Sequence, residues 1–341
     1  MIKFFNKNKY NNFIIKSDGA SWVLDEIKKE LENIIKKKFK LINQLYTKFL
    51  SNQCIFYLNK YDLLNDKLNN NKIGISYFHI DNKQKKKNSS ILKILKTNDL
   101  IKAIQVTNDS IKNYLIKKGI NKNKIFKIPI GIDLRKFYFS TIKEKRENKK
   151  KKNLNDFMVI GSFQKDGIGW GDGMQPKRIK GPDVFVKIIK KISKKQKVHV
   201  ILTGPARGYI KKKLTEAKIS FSHYFFNNYK DVIKLYSLID IYIVSSRVEG
   251  GPRSILESMA SGVVIFSTKV GQAEEIIKNN INGYLYDITN IDSISNKAIK
   301  IFKDSNKREK ILKKAKKTAV NFSYEKTKKK WFNFFNKLKI K

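Results

Sequence analysis

Cysteine and histidine are too scarce in this sequence to form a disulfide framework or a clustered metal site. The 341 residues include one cysteine, Cys54, and three histidines, His79, His199 and His223, which lie far apart. Disulfide-stabilised domains need an even set of cysteines, and zinc sites need closely spaced cysteines and histidines. The sequence therefore predicts a protein of a reducing compartment that requires no metal ion.

Long apolar runs are also absent. A helix that crosses the hydrocarbon core of a membrane needs about 18 or more apolar residues, and no uncharged run of that length occurs. The N-terminal segment MIKFFNKNKYNNFIIK is basic but has no continuous apolar core, so it does not indicate a signal peptide. These absences predict a cytoplasmic protein and leave open a peripheral location on the inner face of the membrane.

Acidic residues are few compared with basic ones. Asp and Glu total 29, whereas Lys and Arg total 74, which gives a formal net charge of +45. One interpretation is a polyanionic partner, such as nucleic acid or an anionic membrane face. The other is compositional, because Lys, Asn and Ile share AT-rich codons and the lysines are spread along the whole chain. We favour the second for most of the surplus, and still expect a basic surface that attracts phosphates and anionic lipids.

The length and the hydrophobic content suit two domains. A chain of 341 residues exceeds an ordinary single domain, and a hydrophobic fraction of 41% is enough for two cores. Short apolar runs alternate with amphipathic segments, which is typical of a parallel sheet covered by helices. The predicted strands are 13–15, 54–58, 73–78, 104–107, 157–160, 198–203, 219–221, 241–244 and 263–266. The predicted fold class is α/β, with two Rossmann-like domains.

A charged segment separates the two series of strands. Residues 143–152, KEKRENKKKK, include no apolar side chain, so we interpret 143–153 as the linker between an N-terminal domain, 1–142, and a C-terminal domain, 154–322. The remaining residues, 323–341, are predicted to form a basic aromatic helix. Its aromatic residues are Tyr324, Trp331, Phe332, Phe334 and Phe335. They suit either packing back on the N-terminal domain or contact with a membrane interface.

The most informative segment is EGGPRSILESMASG, residues 249–262, which follows a predicted buried strand and opens a helix. A helix N-terminus presents unpaired N–H groups that suit a phosphate, and Gly250 and Gly251 let the backbone approach a ligand closely. Glu249 precedes the helix and Glu257 lies inside it, so they are placed to bind different parts of an extended ligand through its hydroxyls. The alternative is that Glu249 is a loop charge and Glu257 a solvated helix residue.

This segment resembles the donor-site motif of glycosyltransferase family 4, a retaining family with the GT-B fold. Three other segments resemble the family in the same order: 103–133, which has IPIGID where IPNGID is usual, 161–185, and VVIFSTKVGQAEEII after the motif. The resemblance implies two Rossmann-like domains that face a central cleft. It also implies metal-independent transfer of a hexose from a UDP- or GDP-sugar to a glycan or lipid-linked acceptor. The implied setting is the synthesis of surface polysaccharide, such as lipopolysaccharide, with no cofactor beyond the nucleotide-sugar substrate.

The resemblance assigns roles to residues that hold the donor. Glu257 would bind the ribose hydroxyls of the nucleotide, and Glu249 would contact the transferred sugar. Further donor contacts are implied for Gly161, Gly250, Gly251, Arg253 and Ser254. His223 and Tyr224 follow a predicted strand at the place where the family commonly contacts the nucleobase.

Basic residues would neutralise the diphosphate leaving group, whose negative charge grows as the sugar–phosphate bond breaks. Lys180, in a Lys-Gly pair, matches the second of the family's two basic residues. Ser162 stands where the first, usually an arginine, is found, so Lys165 is assigned this role and Arg178 is its rival. Between them, the glycine-rich insert 166–175 is predicted to be a loop at the cleft.

Two positions of the N-terminal domain are further candidates. His79 ends a predicted strand, and side chains at the carboxyl edge of a parallel sheet face the ligand crevice. The family often has a histidine in a comparable loop near the sugar's 6-hydroxyl, whereas the alternative is a packed or surface histidine. Ser17, Asp18 and Gly19 resemble the family's first glycine loop, beside the donor phosphate or the acceptor, although the usual pair of glycines is absent.

Two other functions stay open on the sequence alone. A nucleic-acid-binding protein would explain the net charge, but it predicts clustered basic and aromatic residues on one face, whereas glycines and acids occupy the predicted sheet edges. A GT-B subunit that has lost activity and serves as a partner would explain Ser162. We expect an active transferase that binds no nucleic acid.

Overall fold

The computed structural model describes residues 12–17, 23–42, 47, 50–80, 84–226 and 228–339. They form two compact units. The N-terminal unit extends to Ile130 and also includes the residues from Tyr324 onward, whereas the C-terminal unit is Gly131–Ser323. The boundary therefore lies after Ile130, which corrects the predicted division at 143–153.

A six-stranded parallel sheet forms the centre of the N-terminal unit, in the order β2-β1-β3-β4-β5-β6. Its strands are β1 Asn12–Lys16, β2 Lys40–Leu41, β3 Cys54–Tyr57, β4 Lys72–Ser76, β5 Ile101–Val106 and β6 Ile125–Lys127. The α-helices described between them are α1 Val23–Ile35, α2 Lys85–Thr97 and α3 Asp109–Lys117. Apolar residues of both sheet faces are buried in two separate clusters, as expected for parallel strands covered on both sides.

The last helix of the chain, Tyr324–Lys339, packs on the sheet of the N-terminal unit. Its side chains Trp331, Phe334 and Phe335 are fully buried and surround Phe56 of β3, with ring centroids 4.9–5.8 Å away. Gly74 of β4 leaves room for this helix, because a Cβ there would lie 3.0 Å from the Phe334 ring. Four of the five aromatic residues are therefore part of the protein core, as the interpretation of packing on the N-terminal domain expects.

The C-terminal unit contains a second six-stranded parallel sheet, in the order β12-β11-β10-β7-β8-β9. Its strands are β7 Met158–Phe163, β8 Val198–Thr203, β9 Ser220–Tyr224, β10 Ile241–Val244, β11 Val264–Thr268 and β12 Tyr284–Tyr286. Its helices are α4 Ile142–Lys150, α5 Pro182–Ser193, α6 Gly208–Glu216, α7 Tyr229–Lys234, α8 Arg253–Ala260, α9 Ala273–Ile276, α10 Ile291–Lys303 and α11 Ser305–Asn321. Met158 and Ile160 belong to one apolar core and Val159 to the other, because successive strand residues face opposite sides.

The predicted linker is a helix, α4. Thr141 caps it in a capping box with Glu144. Lys145 and Lys149 are buried although the segment has no apolar residue, because Lys145 Nζ donates to the Tyr236 carbonyl at 2.6 Å and Lys149 Nζ to Asp240 Oδ2 at 2.7 Å. Composition alone suggested a linker here. It could not show the helix, because the oxygens that accept hydrogen bonds from Lys145 and Lys149 lie 91 residues further along the chain.

The predicted fold class, two Rossmann-like α/β domains with parallel sheets, is confirmed. Within the described part of the chain, no helix combines the length and the apolar character needed to cross a membrane.

Candidate functional site

The loops that follow β7 and β10 meet at the carboxyl edge of the C-terminal sheet. These two strands are hydrogen-bonded neighbours and run parallel, so both end at the same edge. The chain after β7 leads through residues 164–177 and a 3-10 turn, Arg178–Lys180, into α5. The chain after β10 leads through Ser245–Pro252 into α8. In open α/β sheets this edge is where ligands bind.

Lys180 and Glu249 form an ion pair between these two loops. Lys180 Nζ donates to Glu249 Oε1, and Ser246 Oγ donates to the same oxygen at 3.1 Å. The side chains of Lys180 and Glu249 are 24% and 17% exposed, so the pair is half-buried and still reachable from solvent. The structure thus brings together two residues that the sequence could relate only through the family resemblance.

Gly181 explains how Lys180 reaches this position. Its backbone is left-handed, with φ 63°, and a Cβ there would overlap the Ser245 carbonyl at the end of β10. The Lys180 carbonyl accepts from Gln164 Nε2 and from Ser245 Oγ, both at 3.3 Å. The Lys-Gly pair is therefore required by the close approach of two loops, and it aims the lysine along the sheet edge.

A second ion pair, Arg247–Asp183, links the loop after β10 to the first turn of α5. The Arg247 guanidinium donates to both carboxylate oxygens of Asp183, at 2.9 and 2.7 Å, and this pairing holds the pKa of Asp183 below its usual value. The N–H of Arg247 donates to the Ile179 carbonyl at 2.8 Å. Asp183 also accepts from Arg178 at 3.2 Å, so the proposed rival for phosphate binding is engaged in this network. Sequence reasoning missed Arg247 and Asp183, since nothing in the chain relates them.

Glu257 lies inside α8 and is only 5% exposed. Its Oε2 accepts from the Tyr236 hydroxyl at 2.8 Å, and its Oε1 accepts from Arg253 Nε at 2.9 Å and from the Tyr229 hydroxyl. Burial, and next to it the neighbouring carboxylate, raise the pKa of Tyr236 well above its usual value. The alternative of a solvated helix residue is therefore wrong, and Glu257 is a buried acceptor surrounded by donors.

The glycine turn before α8 packs against another turn of the protein. A Cβ on Gly251 would lie 2.7 Å from the Gln272 side chain, and the Gly250 carbonyl accepts from the Gln272 N–H at 3.1 Å. Ser254, in the first turn of α8, hydrogen-bonds the Tyr242 hydroxyl. The need for a glycine at position 251 is thus explained by packing within the protein, whereas the sequence analysis attributed it to the close approach of a ligand.

An arginine that sequence reasoning overlooked lies beside Ser162. Arg207 donates to the Ser162 carbonyl and to the Thr203 carbonyl, each at 2.7 Å, and to Ser162 Oγ at 3.1 Å. It also pairs with Asp166 at 3.0 Å, with both side chains fully buried. The resemblance described above expects an arginine at position 162. In this protein Ser162 stands there, and the guanidinium of Arg207, from the loop after β8, lies beside it. An arginine just after a predicted strand was the only signal of it in the sequence.

Lys165 and Gly161 have local packing roles. Lys165 Nζ lies 3.5 Å from the centroid of the Trp170 ring, and desolvation lowers the pKa of Lys165. Among the described ion pairs none includes Lys165, so the structure does not join it to Lys180. Gly161 of β7 is packed so tightly that a Cβ would lie 2.5 Å from the Ile239 side chain.

The end of β9 carries an aromatic group. The Tyr224 ring stacks on Phe226, with centroids 5.6 Å apart and planes 8° apart. His223 Nε2 lies 2.8 Å from the Gly204 carbonyl, and burial lowers the pKa of His223. Of the two candidates for contact with a nucleobase, Tyr224 offers a flat stacking surface, whereas His223 is committed to the backbone.

The remaining predicted positions belong to the N-terminal unit. His79 follows β4 and is partly exposed, and its carbonyl accepts from the buried ammonium of Lys60. Gly19 and Asp18 lie outside the described residues. Within the described parts of both units, no group of three or more His, Cys, Asp or Glu side chains is arranged to hold a metal ion.

A protein-family model and two curated proteins match parts of this sequence. Residues 175–318 match the family model described as glycosyl transferases group 1. The N-acetyl-alpha-D-glucosaminyl L-malate synthase of Bacillus anthracis is 27% identical over 120 residues, which are 35% of this chain and 31% of that protein. A sucrose synthase of Melioribacter roseus is 33% identical over 86 residues, which are 25% of this chain and 11% of that protein. The chain thus spans about a third or less of the length of these relatives.

Solved structures resemble the chain over nearly its whole length. The Anabaena protein Alr3699/HepE, solved with UDP and glucose, has a TM-score of 0.74 at 13% identity and covers 95% of this chain and 98% of its own. The sucrose-phosphate synthase of Thermosynechococcus elongatus has a TM-score of 0.73 at 14% identity, with 96% and 99% covered. A glycosyltransferase from Rickettsia africae has a TM-score of 0.71 at 17% identity, with 97% and 99% covered. At these identities the likeness establishes the fold, and the predicted GT-B class is confirmed.

Proposed function

We propose that this chain is a glycosyltransferase that moves a sugar from a nucleotide-sugar to an acceptor, and that its C-terminal unit binds the donor. The observation that carries the proposal is the partly exposed Lys180–Glu249 pair at the carboxyl edge of the sheet, close to the start of α8. Lys180, Glu249 and Glu257 all fall inside the segment that matches the group 1 glycosyltransferase model. A cation, an acceptor carboxylate and a helix start in one place suit a diphosphate joined to a sugar.

Lys180 would stabilise the leaving group. An ammonium has three N–H donors, and the pair with Glu249 uses one of them. The other two can donate to the oxygens of a diphosphate, whose negative charge grows as the sugar departs. A cation that is already fixed in place stabilises this charge in the transition state and needs no rearrangement of the protein. Glu249 would hold Lys180 in place and accept hydrogen bonds from hydroxyls of the transferred sugar. In this proposal the charge is neutralised by the protein, and no metal ion takes part.

Glu257 would bind the ribose. Tyr236 and Arg253 fix the orientation of its carboxylate, whereas the hydroxyl of the partly exposed Tyr229 occupies the remaining side of Oε1. We infer that the ribose hydroxyls take the place of the Tyr229 hydroxyl when the donor binds. The stacked Tyr224 and Phe226 rings at the end of β9 would then lie beside the nucleobase.

The finer assignment follows the resemblance and the solved relatives. HepE was solved with UDP, with UDP and glucose, and with UDP-glucose, so a UDP-hexose is the first donor to test, with GDP-sugars second. The family resemblance supports a retaining reaction and a glycan or lipid-linked acceptor, as in the synthesis of surface polysaccharide. We propose His79, Lys165 and the segment around Gly19 as further contacts of the donor or the acceptor.

Thermal stabilisation by nucleotides and nucleotide-sugars tests the donor site, because a ligand of the native state raises the apparent stability by mass action. We expect UDP or a UDP-sugar to raise the melting temperature of the full chain. Glu257→Ala and Lys180→Ala should each abolish or strongly reduce this shift, whereas Lys187→Ala, on the exposed side of α5, should retain it. If both site variants respond like the parent protein, the donor site is assigned to the wrong residues.

A further inference from the structure

Lys145 of α4 is a buried cation that the proposed reaction does not use. The residue is 3% exposed, and its ammonium donates to the Tyr236 carbonyl at 2.6 Å. Lys149, one turn later, pairs with the carboxylate of Asp240 at 2.7 Å, whereas none of the described ion pairs includes Lys145. Burying an ammonium is unfavourable unless it makes strong hydrogen bonds. The group to which Lys145 donates is therefore informative.

The residue that accepts this hydrogen bond also contacts the carboxylate proposed to bind the ribose. Tyr236 lies in a 3-10 turn, Leu235–Ser237, between α7 and β10. Its carbonyl accepts from Lys145, and its hydroxyl donates to Glu257 Oε2 at 2.8 Å. Lys145 and Glu257 are thus connected through a single residue, which uses its backbone on one side and its side chain on the other.

The hydrogen bonds made by the 3-10 turn itself are longer than the one from the lysine. The Tyr236 carbonyl accepts from the Ile239 N–H at 3.3 Å, and the Leu235 carbonyl accepts from the Leu238 N–H at 3.0 Å. Bonds of this 3-10 type have poorer geometry than those of an α-helix. The bond from Lys145 is shorter, and an ammonium donor makes it stronger. Lys145 therefore helps to fix the backbone from which the Tyr236 side chain extends.

The segment that carries Lys145 also contacts α8, the helix of Glu257. The Ser140 N–H donates to the Ser261 carbonyl at 3.4 Å, just where α8 ends. Gly262 has φ 71°, and a Cβ there would lie 2.4 Å from the Ser140 carbonyl oxygen. The same stretch of chain therefore contacts both supports of the proposed ribose-binding carboxylate, its helix and its tyrosine.

We propose that Lys145 is a positioning residue of the donor site, which orients the Glu257 carboxylate for the ribose through Tyr236. This inference rests on the proposed function, because it takes Glu257 to bind the nucleotide. Lys145 touches no substrate in it. A binding group must be held within about 0.5 Å of its productive position by the packing and hydrogen bonds behind it. Lys145 supplies one of those hydrogen bonds from a helix that the donor does not reach.

The charge of Lys145 gives this role a pH dependence. Burial lowers the pKa of Lys145 to about 7, Asp240 before β10 opposes this shift, and Arg308 of α11 adds to it. On α4 itself, Lys149 lowers the pKa further and Glu144 raises it. A protonated amine donates more strongly than a neutral one, so loss of the proton loosens the hold on the turn. We therefore expect tighter binding of UDP below pH 7 than above it, with uptake of protons on binding.

Calorimetric titration with UDP, or with GDP if only that nucleotide binds, tests the inference. At pH 6, Lys145→Met should weaken binding about tenfold, which lies in the range for residues coupled by direct contact. The difference from the parent protein should shrink at pH 9, where the parent's lysine is neutral. The variant should also lose part of the proton uptake that the parent shows in buffers of different ionisation enthalpy.

Two further variants separate positioning from a general loss of structure. Lys145→Gln keeps an N–H donor without a titrating charge, so its affinity at pH 6 should lie between those of the parent and Lys145→Met. It also serves as the test if the methionine variant does not fold. The matched control is Lys149→Met, because Lys149 is equally buried on α4 but donates to Asp240 and the Phe157 carbonyl. This control should lose stability and keep the parent's affinity at pH 6.

A double-mutant cycle tests the route through Tyr236. Tyr236→Phe removes the hydroxyl that donates to Glu257 and keeps the ring. If Lys145 acts through this hydroxyl, adding Lys145→Met to Tyr236→Phe should weaken binding no further. Additive losses, or an affinity and pH profile that neither Lys145 variant changes, would overturn this inference and leave the donor site standing. A parent protein that binds neither UDP nor GDP would refute the donor site and this inference together.

Discussion

Two lysine–carboxylate pairs of the C-terminal unit share the same chemistry but differ in their surroundings. The side chains of Lys149 and Asp240 are 4% and 6% exposed, and Lys149 Nζ also donates to the Phe157 carbonyl at 2.8 Å. Lys180 and Glu249 are 24% and 17% exposed and lie between two loops at the edge of the sheet. The first pair is enclosed by helix and sheet, whereas the second can be reached by a ligand.

The difference separates a structural ion pair from a functional one. A buried charge needs all of its partners from the protein, because an unpaired charge in the interior is strongly unfavourable. A partly exposed pair adds less to stability, since water screens it. Its remaining hydrogen-bonding capacity can serve a ligand instead. The four predictions below test this contrast.

Asp240→Ala should give the largest loss of stability. The change leaves the buried Lys149 ammonium without its carboxylate, and it also removes the acceptor of the Val159 N–H at 3.0 Å and the 3.7 Å pairing with Arg308. Breaking a buried pair in this way costs about 3–5 kcal/mol. Urea denaturation of the variant and of the exposed-site control Lys187→Ala measures it. A loss below about 1 kcal/mol would show that the pair is not as enclosed as its burial indicates.

Lys145, one helical turn before Lys149, should make stability depend on pH. Burial lowers the pKa of Lys145 from 10.5 to about 7 in the folded protein, and the nearby Asp240 opposes this shift. Between those two values the unfolded chain binds a proton that the folded chain does not, so the free energy of unfolding rises with pH across this window. At 1.36 kcal/mol per unit, the contribution from pH 7 to pH 10 is up to about 4 kcal/mol.

Lys145→Met removes this dependence, and Lys143→Met, on the exposed side of the same helix, retains it. Urea denaturation at several pH values measures the difference between each variant and the parent protein. If the difference for Lys145→Met does not change with pH, the ammonium keeps its charge in the folded state and the lowered pKa is refuted.

Lys180→Ala should leave stability within about 1 kcal/mol of the parent protein, because its pair with Glu249 is partly exposed. Sugar transfer should fall about a hundredfold, which is the usual effect of removing one group that stabilises charge in a transition state. The measurement is the turnover rate at saturating concentration of the nucleotide-sugar that stabilises the parent protein against heat. A variant that loses several kcal/mol of stability but keeps its turnover would reverse the roles assigned to the two pairs.

Arg247→Ala should have the smallest effect. Arg247 contacts no ligand in the proposal and acts by tying the loop of Glu249 to Asp183. We expect about tenfold weaker binding of UDP, and an intermediate effect for Arg247→Lys, because lysine cannot form the two-point contact with a carboxylate. Calorimetric titration with UDP measures both. Unchanged affinity would mean that the backbone bond from Arg247 to Ile179 is enough to align the loops.

Part of the candidate site could be predicted from the sequence, and the remainder could not. The strand, glycine turn and helix around 249–262 were visible because each is encoded within a few residues, and α8 begins at Arg253, between the two glutamates. The partners were not visible. Arg207 is 45 residues from Ser162, and Tyr236 is 21 residues from Glu257. No local pattern relates residues that a sheet brings together from different strands.

The sequence by itself determined the two parallel-sheet units, because the alternation of short apolar runs with amphipathic segments is a local property of the chain. Only the tertiary structure decided which charges are enclosed and which are accessible. The lysine-rich segment at 143–152 is mostly helix and buries Lys145 and Lys149. The aromatic helix at the C-terminus packs in the core, and a glycine-rich loop carries the exposed Trp170. Burial and pairing depend on distant residues meeting in space, and composition gives no information about those encounters.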